Sequence, residues 1–200
     1  MSGQDGVIGE ADDALRELIR RGALSGSKTE VLLSPPGPEP SAEGEAPAVH
    51  LRLYDIREDL GKRRQGMINE TNADGAVTAR HRPPRYVSLS YAVTVRAPEP
   101  EEEHRLLGTI LRALLAHDTI PADHLTGSLA ELGLPVALVA AHPPQEDRAF
   151  VAASVAGARP FVNVVISAPI KPETPGPVAP PVRKPLGVRA EERHGTEGLG

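Results

Sequence analysis

Val87-Ser88-Leu89-Ser90-Tyr91-Ala92-Val93-Thr94-Val95-Arg96 alternates without a break. Val87, Leu89, Tyr91, Val93 and Val95 share one side, and Ser88, Ser90, Ala92, Thr94 and Arg96 the other, the period of two that marks a strand with one apolar face. Upstream, Val49, Leu51 and Leu53 alternate with His50, Arg52 and Tyr54. Asp55-Ile56 shifts that parity by one residue, which implies a bulge or the strand's exit from the sheet. The two strands are expected to run antiparallel, because a polar segment with no helical crossover joins them. That segment, Glu58 to Pro84, reads as a loop with Asp74-Gly75 as its tightest turn.

Downstream, Glu99 and Glu101–Glu103 open a helix, where negative charge suits the free backbone amides. Leu106, Leu107, Ile110, Leu111, Leu114 and Leu115 form its broad apolar face, so the helix is expected to lie flat on the sheet. Pro121 and Gly127 punctuate the chain before a strand at Val136–Ala141, a short helix at Glu146–Ala156 and a buried strand at Phe161–Ser167. At the other end, Ile8, Ala11, Leu15, Leu18 and Ile19 recur at helical spacing, with acids early, arginines late and Gly22 as the stop. Thr29–Leu33 reads as a strand and residues 34–47 as a Pro-rich loop. The order predicts an α+β fold, a mixed and largely antiparallel sheet covered by helices. Residues 1–168 form one domain in this reading. Residues 169–200, with seven prolines, mixed charges and no period, form an extended C-terminal arm.

Composition narrows the function. Pro and Gly make up a fifth of the 200 residues, and Tyr54, Tyr86, Tyr91, Phe150 and Phe161 are the only aromatic anchors, so the core rests on aliphatic residues. A core this modest gains from neighbouring subunits. The net charge of −5 opposes a general nucleic-acid footprint. With no cysteine there is no disulfide framework, thiolate metal site or Cys nucleophile. No leader pattern or membrane-length apolar run occurs, so the expectation is a soluble protein made and kept in the cytoplasm.

Catalytic signatures are missing as well: no phosphate loop, nucleophile elbow or dinucleotide fingerprint, and no histidine pair at helical metal-binding spacing. Asp55, Glu58, Asp59 and the pair Glu103-His104 are the remaining candidates for metal or acid–base work, as in a metal-dependent hydrolase. The simpler reading is that these carboxylates serve a helix N-terminus and nearby arginines. Lys62-Arg63-Arg64 and Arg80-His81-Arg82, with Arg85 beyond, are either a solvated face or guanidinium groups that meet carboxylates on another protein. No cofactor is expected.

Four pieces recur in order: Leu51-Arg52-Leu53-Tyr54-Asp55-Ile56-Arg57-Glu58-Asp59 with Arg63-Arg64 after it; Arg82-Pro83-Pro84-Arg85-Tyr86; Leu89-Ser90-Tyr91-Ala92-Val93-Thr94; and Glu103-His104-Arg105-Leu106-Leu107-Gly108. Together they resemble the N-terminal domain of the cap-protein family of extracellular contractile injection systems, and the first helix and Ala113–Leu129 extend the likeness over most of residues 5–168. The resemblance implies a fold like phage tail terminators and a homohexameric ring on the last layer of the inner tube. There it ends polymerisation and ties tube to sheath, with inner-tube and sheath proteins as partners and neither nucleic acid nor membrane. It implies assembly in the bacterial cytoplasm into a particle that can be released, and it carries no catalytic residues. The chain departs from the family in the polar insertion Lys62–Arg82 and in the length of its arm. A phage head–tail or baseplate-type adaptor is the alternative. Asp55, Arg57, Glu58, Asp59, Arg63, Arg64, Arg82 and Arg85 are the expected subunit contacts.

Overall fold

The computed structural model describes residues 6–34, 46–143, 154 and 159–170. Helix α1 (Val7–Gly22) leads to strand β1 (Glu30–Leu33), then β2 (Ala48–Glu58), a ribbon of β3 (Ile68–Thr71) and β4 (Val77–His81), and the long β5 (Arg85–Arg96). Helix α2 (Pro100–Leu115), the short α3 (Gly127–Leu132), β6 (Ala137–Ala140) and β7 (Val162–Ile170) follow. The main sheet has the order β1-β2-β5-β7-β6, with β1 parallel to β2 and every other pair antiparallel. It is the mixed, largely antiparallel α+β sheet that the sequence implies.

The odd-numbered face of β5 makes the core. Leu89, Tyr91, Val93 and Val95 are buried with Leu51 of β2 and Val164 and Ile166 of β7, against Leu15, Leu18 and Ile19 of α1 and Ile110 and Leu114 of α2. Apolar burial of about 25 cal/mol per Å² is what holds the helices to this face. The Tyr91 hydroxyl donates to Asp12 Oδ1 at 2.7 Å, so the one large aromatic of this core has its polar end satisfied. The register shift between Leu53 and Asp55 is the bulge expected from the parity break, and β2 continues past it to Glu58.

Elsewhere the structure corrects the sequence reading. The segment 58–84 is not a plain loop: β3 and β4 pair as a separate two-stranded sheet. Its tip is the Asp74-Gly75 turn, where Gly75 has φ +78° and the Asn72 side-chain oxygen accepts from Asp74 N and Ala76 N. An Asn carbonyl holding the backbone in this way is a common turn device. The other side of β5 is covered over its second half, where Ala92, Thr94 and Arg96 are all buried. Leu115 is not part of the apolar face of α2 and stays 59% exposed. Strand β7 runs two residues into the expected arm, pairing Pro169 with Tyr86 and Ile170 with Arg85. Apart from helical Ser154, the expected helix at Glu146–Ala156 lies outside or at the limit of the described residues, as do most of the 34–47 loop and the arm beyond Ile170.

Candidate subunit interface

The bulge decides where the polar side chains of β2 point. By taking up one extra residue it leaves Asp55 opposite Ser90 and Arg57 opposite Ser88, on the side of the sheet away from Leu89 and Tyr91. Tyr54, Asp55, Arg57, Glu58, Asp59, Ser88, Ser90 and Asn163 then line a groove of about 450 Å³, together with His142 and Pro143. The Tyr54 hydroxyl donates to Asn163 Oδ1 at 2.6 Å, and Asn163 Nδ2 donates to the His142 carbonyl at 2.8 Å. Burial pushes the Tyr54 phenol above its ordinary pKa, a hydrogen bond donated by the Ser90 hydroxyl pulls it back, and the Asp55 charge adds to the rise.

Most of the residues singled out from sequence are engaged with one another. Arg57 Nε meets Asp55 Oδ2 at 2.8 Å. Glu58 is shared by Arg85, at close range, and by Arg63 at 3.8 Å. Asp59 Oδ2 accepts from the Ser167 hydroxyl at 2.9 Å, and Lys62 Nζ donates to that same Ser167 oxygen at 3.0 Å while lying 5.0 Å from the Tyr86 ring centre. These pairs are partly exposed and each contributes little to stability, about 0–1 kcal/mol, so their effect is to fix side-chain positions at the groove. Arg64 and Arg82 are brought to neither cluster. Both are exposed on the stalks of the ribbon.

The carboxylate and histidine candidates do not converge. Glu103 accepts from Ala97 N at 3.3 Å and from Arg159 Nη1 at 2.6 Å. Ala97 lies seven residues along the chain from Ser90, the partner of Asp55, or roughly 23 Å at the usual strand rise. Among the described residues no group of three or more His, Cys, Asp or Glu could hold a metal ion, and no helix is long and apolar enough to cross a membrane.

One buried carboxylate escaped the sequence reading. Glu10, only 7% exposed, reaches across from α1 to the first turn of α3, where its two oxygens accept from Ser128 N (2.9 Å), the Ser128 hydroxyl (2.7 Å) and Leu129 N (2.9 Å). It is an N-cap supplied from 118 residues away. Gly127 makes room for it: φ is +54°, and a Cβ there would meet the Glu10 Cδ at 2.7 Å. The glycine ahead of a short helix was the available sequence signal. Nothing in the sequence pointed to Glu10 as its partner.

The model of the Pvc16 N-terminal domain family matches residues 10–184. The chain belongs to that family. The Pvc16 N-terminal domain fold seen here is similar to the sheath/tube terminator, in its extended state, of the extracellular contractile injection system PVC. The TM-score is 0.56 at 16% identity, over 99% of this chain and 66% of that one. It is also similar to the tube-terminating cap of the anti-feeding prophage, with a TM-score of 0.49 at 18% identity over 87% and 59% of the two chains. The chain thus spans a little under two thirds of the length of each of these structures. No curated protein sequence matches it. The Pvc16 N-terminal domain match runs from Glu10 in α1 through α2, α3, both sheets and the groove.

Proposed function

We propose that this protein is the cap, or tube-terminator, subunit of a contractile injection system, with a structural rather than an enzymatic role. The observation that carries the reading is the family match over residues 10–184, supported by the shared fold with the PVC sheath/tube terminator. In this reading six copies form a ring on the last layer of the inner tube. The ring stops tube polymerisation and links tube to sheath, in a particle assembled in the bacterial cytoplasm and then released.

The groove fits such a role. A ring subunit needs polar side chains held in place before its neighbour arrives, because ordering them at the moment of contact costs affinity. Asp55, Arg57, Glu58, Arg63 and Arg85 are held by one another and Asp59 by Ser167, whereas Arg64 and Arg82 are exposed to solvent. We assign these eight residues to subunit contacts. The arm that follows β7, beyond Ile170, is assigned to a neighbouring subunit or the sheath.

Deletion of the gene followed by electron microscopy of the particles tests the reading. Tubes of irregular, extended length or sheaths detached from tubes are expected. Normal tubes of uniform length from the deletion strain would overturn it. Truncation after Ile170 should weaken the hold on the sheath while leaving the folded domain intact, and normally capped particles with intact sheath would remove the arm from the proposal.

A further inference from the structure

The ribbon β3–β4 has little of what stabilises the rest of the molecule. It is a sheet of two strands paired over four positions, and every residue from Gly61 to Ala76 is exposed. A two-stranded ribbon without a third strand or a covering helix is marginal on its own in water. Met67 and Ile68 are 54% and 41% exposed at the start of β3. Arg64, Arg80 and Arg82 are exposed and, among the described residues, form no ion pair, although Arg63, Arg85 and Lys62 nearby are all engaged.

Charge points to what the ribbon meets. Residues 60–85 hold six Lys or Arg against two acids, a local +4 in a chain of net charge −5. The ribbon is rooted where β2 ends and β5 begins. At the other end of β5, roughly 36 Å away at the usual strand rise, the chain turns through Glu99 and Glu101, both exposed and without an ion pair among the described residues, into α2. The molecule is therefore basic at one end of its longest strand and acidic at the other.

We propose that the ribbon is a docking arm for a second copy of this chain, laid against the acidic end at the start of α2 in the neighbouring subunit. Such a contact is head-to-tail, joining two different surfaces, so it closes a ring when the rotation between copies allows. Arg64, Arg80 and Arg82 supply the charge that steers and registers the contact, and Met67 and Ile68 supply apolar area. This deepens the ring-subunit reading and rests on it, by naming the two surfaces that meet.

Charge exchange in the full-length chain tests it. Reversing the ribbon (Arg64→Glu, Arg80→Glu, Arg82→Glu) or the acidic end (Glu99→Arg, Glu101→Arg) should each weaken self-association by at least about tenfold at low salt, as misplaced like charges do. Combining both sets should restore it to within about threefold, as coupled sites in a double-mutant cycle do. Sedimentation velocity reads all four proteins, and circular dichroism confirms that each is folded. Because the chain has no cysteine, Arg80→Cys with Glu101→Cys offers a second reading: oxidation should give a ladder beyond dimers, which neither single variant gives. Failure of the combined charge set to restore association overturns the proposal, as do dimers from Arg80→Cys alone. Duplex DNA bound through the ribbon arginines, with association unchanged by their reversal, would also overturn it. Tube length in the same strains is scored separately. A restored multimer with uncapped tubes would leave the contact standing and remove the cap reading.

Discussion

The helix-covered half of the sheet and the β3–β4 ribbon are built on opposite terms. Leu89, Tyr91 and Val93 are fully buried among three helices, whereas the ribbon exposes every residue of β3 and buries none of β4 fully. One region is stabilised by what it removes from water, the other is left to be stabilised by what it meets. The largest test of this contrast is a matched pair of truncations. Leu89→Ala should cost about 2–5 kcal/mol, since it empties a closed site at the centre of the sheet. Ile68→Ala should stay within about 0.5 kcal/mol, as exposed substitutions do. Urea denaturation of the two variants would show the gap, and equal losses would mean that the ribbon packs on the body of the chain.

Within the buried half, the Glu10 cap on α3 offers the next effect. Gly127→Ala places a Cβ against the Glu10 carboxylate at a left-handed position and should cost about 2–3 kcal/mol, a strained backbone added to a displaced hydrogen-bond acceptor. Glu10→Ala should cost about 1–3 kcal/mol by leaving the Ser128 and Leu129 amides without their acceptor. The double variant should lose clearly less than the sum, because the methyl then enters the space that the carboxylate vacated. Additive losses would show that the clash is relieved in some other way.

A smaller, pH-dependent effect separates Asp12 from the ion pairs of the groove. Burial raises the Asp12 carboxyl pKa above 3.8, and the Tyr91 hydrogen bond and the Arg16 charge only partly offset that rise. The folded state therefore binds the Asp12 proton more tightly than the unfolded chain does. This contribution is present below pH 3.8 and is lost as the pH climbs through the raised folded value. Asp12→Asn keeps an acceptor for Tyr91 and should flatten that part of the stability profile. Thermal denaturation of both proteins across the acidic range measures it, and parallel profiles would show that Asp12 does not contribute.

The same contrast explains which parts of the molecule could be read from sequence. Alternation in Val87–Arg96 and the leucines of α2 were legible because each is a dense periodic pattern repeated over many residues. Even there, the pattern reported residue type and not neighbours: Thr94 and Arg96, on the side opposite the apolar residues, are buried too. Strands β3 and β4 were missed because Ile68, Val77 and Ala79 are too sparse among polar residues to stand out from a loop. Helix α3 has six residues, fewer than two turns, too few for a period to emerge. The charged residues of Asp55–Arg64 were found as a group, but which of them pair with Arg85 or Ser167 depends on the bulge and on strands far apart in the chain.

Excision of the ribbon is the smallest expected change and the one that bears most directly on how the two regions divide the work. Replacing residues 64–81 with a short Gly-Ser turn keeps Lys62 on Ser167 and leaves β2 and β5 paired. It removes no fully buried residue, and loop length enters stability weakly, through a logarithm. Unfolding of the isolated chain should therefore shift by no more than about 0.5 kcal/mol. Self-association of the same variant should fall as far as it does on ribbon charge reversal. Loss of stability without loss of association would invert the comparison, making the ribbon part of the fold and not of the contact.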